Sequence, residues 1–197
     1  MERRSSVVTD DPCVVLVVCT GNISRSPFAG LLLADALGPS VRVGCAGTRA
    51  VAGRGVDPAM LPYYAEAGVD AGDFVAQQLN VGQVRGADLI LTMTNAHRAY
   101  VLSLLPAAVQ RTFTLREFAR LAAVLKPGEL TGDTPGVRLR ELVELVPQLR
   151  ERAPWDPDGN DIPDPFGRDR REYDRAVRLM RDALNTIVEA VGGVRGA

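Results

Sequence analysis

Between Cys19 and Pro27 the chain reads Cys19-Thr20-Gly21-Asn22-Ile23-Ser24-Arg25-Ser26-Pro27, residue types that in this order suit the capture and attack of a tetrahedral oxyanion. Gly21 and Asn22 tolerate positive φ, which a loop needs if it is to turn its backbone N–H groups inward. A concave set of such groups is an anion nest, and a helix opening at Ser26-Pro27 adds the positive end of its dipole. Ser suits the N-cap and Pro the first helical position. Arg25, expected at the rim, supplies a planar fork that matches two phosphate oxygens. Cys19 enters from a strand end at the floor of the same cradle, where nest, dipole and guanidinium all favour thiolate over thiol. A thiolate beneath a bound phosphoryl group is placed for in-line attack. The plainer account is a buried core cysteine followed by an ordinary helix cap. It leaves unexplained why Gly-Asn, Arg and Ser-Pro all fall in register behind that cysteine.

Cleaving a phosphate ester also requires a proton donor, because an alkoxide or phenoxide leaves poorly. The segment Ile162-Pro163-Asp164-Pro165-Phe166-Gly167 offers one carboxylate stiffened by two prolines, with Phe166 as an aromatic wall for a ring substrate. Asp-Pro pairs also occur at Asp11, Asp57 and Asp156, where an ordinary turn accounts for them. Placement just before the last helix distinguishes Asp164. The single histidine, His97, lies in Met93-Thr94-Asn95-Ala96-His97-Arg98 and fits capping or packing of a helix better than catalysis.

The elements that must position these residues follow from periodicity. Val14 to Val18 is short, continuous and β-branched, as a strand buried on both faces of a parallel sheet should be. A helix follows with Phe28, Leu31, Leu32 and Ala36, stopping before Gly38-Pro39. Val41 to Cys45 reads as a second strand ended by Gly47, and Asp57-Pro58 starts a helix to about Gly68. Ala87 to Met93 is a third strand and Asn95 to Leu105 a helix. Thr112 to Leu115 is a fourth strand, with a helix through Leu125. Arg171 to Val191 places Tyr173, Val177, Met180, Leu184, Ile187 and Val188 at helical spacing. Such alternation predicts a single-domain α/β fold: an open parallel sheet of about four strands with helices on both faces. Ligands of such sheets bind beyond the carboxyl ends of the strands, where the loop after the first strand lies.

Residues 126–168 break this rhythm, being rich in Pro, Gly and Asp. They hold one amphipathic piece, Val137 to Arg152, which Pro147 is expected to kink or restart. A stretch this long reads as a lid, a functional loop or a helix packed on the body. The expected organisation is a flexible tail over residues 1–12 and one domain over 13–197, carrying an insert at about 122–160 that offers a partner surface.

Composition narrows the function further. The 197 residues carry 23 Lys+Arg against 24 Asp+Glu, so nothing favours a nucleic-acid partner. The run Val14–Val18 is far too short for a membrane span or signal core, so no membrane insertion is expected and Arg3-Arg4 lead into no export signal. Three cysteines suggest a reducing compartment, hence the cytoplasm, and one histidine argues against a multi-histidine metal site. No cofactor is implied. Asp156-Pro157-Asp158-Gly159-Asn160-Asp161 has a misplaced Gly and lacks the final Glu of a calcium loop.

With these residues in hand, the sequence resembles the low-molecular-weight protein tyrosine phosphatase family. Members carry Cys-x-Gly-Asn-x-x-Arg-Ser-Pro near the N-terminus and Asp-Pro-aromatic near the C-terminus, here Cys19 to Pro27 and Asp164-Pro165-Phe166. The resemblance extends to Ala46-Gly47-Thr48 and Asp88 to Met93, and leaves out about residues 122–160. It implies hydrolysis of phosphotyrosine on protein substrates in two steps. Cys19 attacks phosphorus to give a cysteinyl-phosphate while Asp164 protonates the leaving oxygen, and water then attacks with Asp164 as base. Arg25 and the N–H groups of Thr20, Gly21, Asn22, Ile23, Ser24 and Arg25 would hold the equatorial oxygens. Ser26 would bond the Cys19 sulfur as well as, or instead of, capping the helix, and Asn22 would hold the loop's shape. Ser24 stands where many members have a second cysteine, Cys45 where they often have Ser, and Phe74 where they often have His.

Two rival functions remain at this level. An arsenate reductase would use the same loop but needs a partner thiol. Cys13 lies six residues up the strand, roughly 20 Å away at ~3.3 Å per residue. Cys45 is expected beside Cys19 as a backup oxidative partner. A non-catalytic phosphate-binding protein would have no need of Asp164.

Overall fold

The structure, a computed structural model, describes residues 11–156 and 158–192, so most of the expected tail lies outside the described residues. Four parallel strands form one sheet in the order β2-β1-β3-β4: β1 Cys13–Cys19, β2 Val41–Gly47, β3 Leu89–Thr92 and β4 Thr112–Thr114. Pairing of Val15 with Leu89 and of Cys13 with Val41 puts β1 at the centre. Successive β1 side chains serve opposite faces. Val15 and Val17 join Leu89, Leu91 and Phe113 in one core, while Leu16 and Val18 join Ile90 and Ala46 in the other. That two-sided burial is why the strand is apolar throughout rather than alternating.

Helices cover both faces. On the first lie α1 Arg25–Leu37, α2 Leu61–Glu66, α5 Leu115–Ala122, α6 Pro135–Arg152 and α7 Arg170–Val191, with Phe28, Tyr64, Phe118, Leu142 and Met180 in its core. On the second lie α3 Val81–Gly86 and α4 Asn95–Leu104, through Val84 and Val101. Helix α3 is not among the elements that periodicity predicts. Its signal was there: Asn80 caps Gln83, and the Gln83 side chain accepts from the Asn80 amide, a reciprocal capping box.

The helix does not restart at Pro147, because α6 runs from Pro135 to Arg152 without interruption. Pro147 faces solvent, so the carbonyl left without a donor one turn back lies on the wet side of the helix. The opposite face of α6 buries Leu139, Leu142, Val146 and Leu149 against the sheet and α5. Each such side chain contributes about 1.5–3 kcal/mol of burial, which is the reason this piece of the 126–168 region lies on the body.

Candidate active site

The chain goes from β1 to β2 on one side and then crosses to β3 on the other, so the sheet order reverses beside the carboxyl end of β1. At such a switch point the loops diverge and leave a crevice. The Cys19–Arg25 loop occupies it.

Its backbone is held from outside. The carbonyls of Cys19, Thr20, Gly21 and Ile23 accept hydrogen bonds from the amides of Thr48 (2.9 Å), Arg49 (3.0 Å), Val51 (3.0 Å) and Asp57 (2.8 Å). In a trans peptide the carbonyl points away from the following N–H, so these bonds turn the amides of Thr20, Gly21, Asn22 and Ser24 to the inner side. The Asn22 amide, accordingly, reaches the Cys19 sulfur at 3.3 Å. Asn22 is the only non-glycine described residue with positive φ, at 55°. Gly21 does not share that conformation, contrary to expectation, and a Cβ there would make only ordinary contacts with Ile23 and Val51. The glycine the cradle needs is Gly47, where a Cβ would stand 2.5 Å from the Thr20 carbonyl oxygen and 3.0 Å from Asn22 Cβ.

Cys19 is buried, with its sulfur aimed at the loop: Ser26 Oγ lies 3.0 Å from Sγ. Ser26 is not the helix cap, because α1 already begins at Arg25 and puts Pro27 at its third position. The Ser26 hydroxyl is occupied instead by the sulfur and by the Asn22 Nδ2 donor at 2.9 Å. Asn22 Oδ1 in turn accepts from the Gln77 amide at 2.8 Å, so the side chain braces the loop. Ser24 precedes α1 and donates to Asp57 Oδ2 at 3.0 Å, and Tyr173 of α7 donates to the same oxygen at 2.7 Å. Burial, then the bond to Asp57, pushes the Tyr173 hydroxyl up to about 12, so it stays a donor. Asp57 was legible only as a helix start. Its other oxygen does take the Ala59 amide, but its structural weight lies in joining loop, 48–57 segment and α7.

Arg25 is not at the rim. It is 3% exposed, with Nη1 donating to the Ile162 carbonyl at 3.0 Å and Nη2 paired with Asp164. Residues 139 positions apart thus meet over the cysteine loop. Asp164 itself is half-exposed, and Phe166 beside it stands open to solvent at 55%. The segment bearing them is tied to the end of β3 by Ile162 N to Met93 O (2.8 Å) and by Asp161 Oδ1, which accepts the Asn95 amide (2.8 Å).

His97 joins this group as well. It does pack into α4, but its ring also reaches the loop: Nε2 lies 2.9 Å from Thr20 Oγ1 and Nδ1 2.9 Å from Thr94 Oγ1. Burial, then the Arg25 cation, lowers it to about 4. No sequence signal pairs residue 97 with residue 20.

The remaining thiols sit apart. Cys13 opens β1 at the far end from Cys19, and burial pushes it up to about 12. Cys45 pairs in register with Val17 and not with Cys19, whose neighbour is Gly47. Two residues along and one strand across gives a Cα separation of about 8 Å, beyond the ~7 Å a disulfide spans. Its thiol donates to the Ser26 carbonyl at 3.2 Å and fills the space left by Gly30, and burial pushes it upward. No group of three or more potential metal ligands occurs among the described residues. In the false calcium loop, Asp156 accepts the Gly159 amide.

Comparison with known proteins places this geometry. A model of the low molecular weight phosphotyrosine protein phosphatase family matches residues 14–146. The chain belongs to that family. It is 38% identical over 186 residues to the low molecular weight protein-tyrosine-phosphatase Wzb of Salmonella typhi, covering 92% of this chain and 96% of that one. The crystal structure of the Erwinia amylovora tyrosine phosphatase AmsI superposes with a TM-score of 0.66 at 26% identity, covering 90% and 91% of the two chains. A protein-arginine-phosphatase of Geobacillus stearothermophilus is 35% identical over 107 residues, 54% of this chain and 72% of that one. The four-stranded parallel sheet with its flanking helices is the fold shared with these phosphatases.

Proposed function

We propose that this chain hydrolyses phosphotyrosine on protein substrates through a cysteinyl-phosphate, with Cys19 as nucleophile and Asp164 as general acid and then base. The observation that carries it is the convergence on one loop of a sulfur bonded by Ser26 and Asn22, inward-facing amides, and an Arg25–Asp164 pair. In the first step the sulfur forms a bond to phosphorus, the phosphorus–oxygen ester bond breaks, and Asp164 gives its proton to the leaving phenolate. In the second, water attacks phosphorus, Asp164 takes its proton, the sulfur–phosphorus bond breaks and inorganic phosphate leaves. Arg25 and the amides of residues 20–25 hold the equatorial oxygens, where preorganised donors are worth most.

A bound phosphoryl group and the Asp164 carboxylate compete for the same Arg25 guanidinium. Substrate therefore parts the ion pair and frees the carboxyl for proton transfer. Phe166 and the Pro163–Pro165 frame form the wall for an aryl ring. The three free cysteines suit a reducing compartment such as the cytoplasm, and no helix among the described residues is long and apolar enough to cross a membrane. The exposed side of the 122–160 region, with Trp155 at 90% exposure, is the surface we assign to a partner protein.

The test is hydrolysis of an aryl phosphate, and of phosphotyrosine and phosphoarginine peptides, by wild type and Cys19→Ser. Metal-independent turnover of phosphotyrosine, lost in the variant, is expected; equal rates in both proteins overturn the reading. Preference for phosphoarginine would move it toward the chemistry of the Geobacillus relative, since the same cradle can receive a phosphoryl group from nitrogen. Arsenate reduction lacks a second thiol within reach of Cys19.

A further inference from the structure

We propose that His97 is a positioning residue of the phosphate loop: donating from Nε2 to Thr20 Oγ1, it leaves the Thr20 hydroxyl proton for the bound phosphoryl oxygen. This deepens the phosphatase reading and rests on it for the identity of the anion.

A threonine hydroxyl has one proton and two lone pairs, and a neutral imidazole has one N–H and one acceptor nitrogen. Thr94 Oγ1 accepts the His97 backbone amide at 3.2 Å, as the cap of α4. Thr94 Oγ1 keeps one lone pair and its proton, and His97 Nδ1 at 2.9 Å is the one acceptor within the described residues that can take that proton, so the arrangement that uses it makes Nδ1 the acceptor and puts the ring proton on Nε2. In that tautomer Nε2 donates to Thr20 Oγ1, 2.9 Å away. Arg25 Nη2, always a donor, approaches the same oxygen at 3.4 Å. Both lone pairs of the Thr20 hydroxyl are thereby engaged, and its proton has no other acceptor among the described residues. A phosphoryl oxygen held by Arg25 supplies one.

The opposite tautomer reverses every link. Nδ1–H would donate to Thr94, whose hydroxyl proton would then have no acceptor among the described residues, and Thr20 would spend its proton on Nε2. The hydroxyl would face an anion with lone pairs only. His97 thus decides whether Thr20 attracts or repels the substrate.

The charged groups around the ring support the neutral form. His97 is 7% exposed, and the Arg25 cation beside it is opposed by Asp164 and, less strongly, by Asp161. The same 93–97 segment also holds the acid-bearing loop, through Met93 O and the Asn95 amide.

His97 is the single histidine of the chain, so its ring nitrogens give an unambiguous spectrum in protein labelled with 15N-histidine. Nε2 is expected to be protonated and Nδ1 bare from pH 5 to 8, with the Nε2 signal moving when inorganic phosphate binds. An Nδ1–H tautomer, or a ring that titrates near its ordinary ~6.5, overturns the proposal. Kinetics give a second readout. His97→Gln keeps an N–H donor and should stay within about threefold of wild type, whereas His97→Phe fills the space without one and should lose about tenfold in kcat/KM. That is the size of one charge-assisted hydrogen bond. Thr20→Val should lose about the same, and the double variant no more than either single change. Equal losses in the Gln and Phe variants, or a double loss equal to the product of the singles, overturn it. The nitrogen spectrum and its response to phosphate need neither turnover nor a substitution. They decide the point even if His97→Phe does not fold, or if the chain proves not to hydrolyse phosphotyrosine.

Discussion

The two halves of the proposed catalytic centre are built differently. The cysteine loop is braced by backbone bonds from residues 48–57, by the Asn22–Gln77 and Ser24–Asp57–Tyr173 contacts, and by burial of nearly every residue from Cys19 to Phe28. The acid-bearing segment has its root at Ile162 in the core, while Asp164 and Phe166 stand half in solvent. A cradle for developing charge gains from rigidity, because its donors must be in place before the reaction. In the proposed mechanism Asp164 must leave Arg25, reach the leaving oxygen and later serve water, and a short, partly exposed segment permits that. The difference fits a preformed cradle and, in the proposed mechanism, an acid recruited by the substrate.

Removing the acid should separate the halves most sharply. Asp164→Ala is expected to lower kcat for phosphotyrosine about 10²–10⁴-fold, with inorganic phosphate still binding, as steady-state kinetics and calorimetry can show. A large loss of phosphate affinity would mean that the acid segment also shapes the cradle.

The converse change attacks the cradle from behind. Gly47→Ala drives a methyl group against the Thr20 carbonyl and should cost roughly 1–3 kcal/mol of stability, as overpacking does. Denaturant unfolding checks the stability. Activity should fall even though residue 47 touches no substrate, and an unchanged kcat/KM would show that the loop has slack.

His97 lies where the halves meet and gives the comparison a pH dependence. Its value falls from ~6.5 in the unfolded chain to about 4 in the fold. Between those values the unfolded state binds more protons, so stability falls as the pH drops from ~6.5 toward ~4, by an amount of order 2 kcal/mol. In His97→Gln the profile over that window should be flatter, which unfolding curves at several pH values will measure.

The smallest effect is expected furthest from both halves. Trp155 at 90% exposure borders a cavity with Arg120, Arg150 and Asn160, and buries too little of itself to anchor α6. Trp155→Ala should change stability by no more than about 0.5 kcal/mol and leave turnover of a small aryl phosphate unaltered. A slower reaction confined to protein substrates would mark this face as a docking surface.

The sequence by itself determined the four strands, most of the helices and the order of the chemistry, because these depend on near neighbours. A run of β-branched residues makes Val14–Val18 a central strand wherever it lies, and Cys19, Arg25 and Ser26 are brought together by a loop of a few residues. Asp164 could be picked out because Pro163 and Pro165 mark its loop locally. The tertiary structure alone decided which distant groups complete those local pieces. That Gly47 must lack a side chain, that Asp57 ties Ser24 to Tyr173, that Arg25 is buried under Ile162 and that His97 reaches Thr20 are consequences of strands pairing across the sheet. Ser26 illustrates the boundary between the two. Its type suits a helix cap equally well, and only the approach of Cys19 and Asn22 gives its hydroxyl a stronger pair of partners than the helix end offers. Long-range contacts of this kind leave no period or spacing in the chain, since their geometry exists only once the sheet has closed.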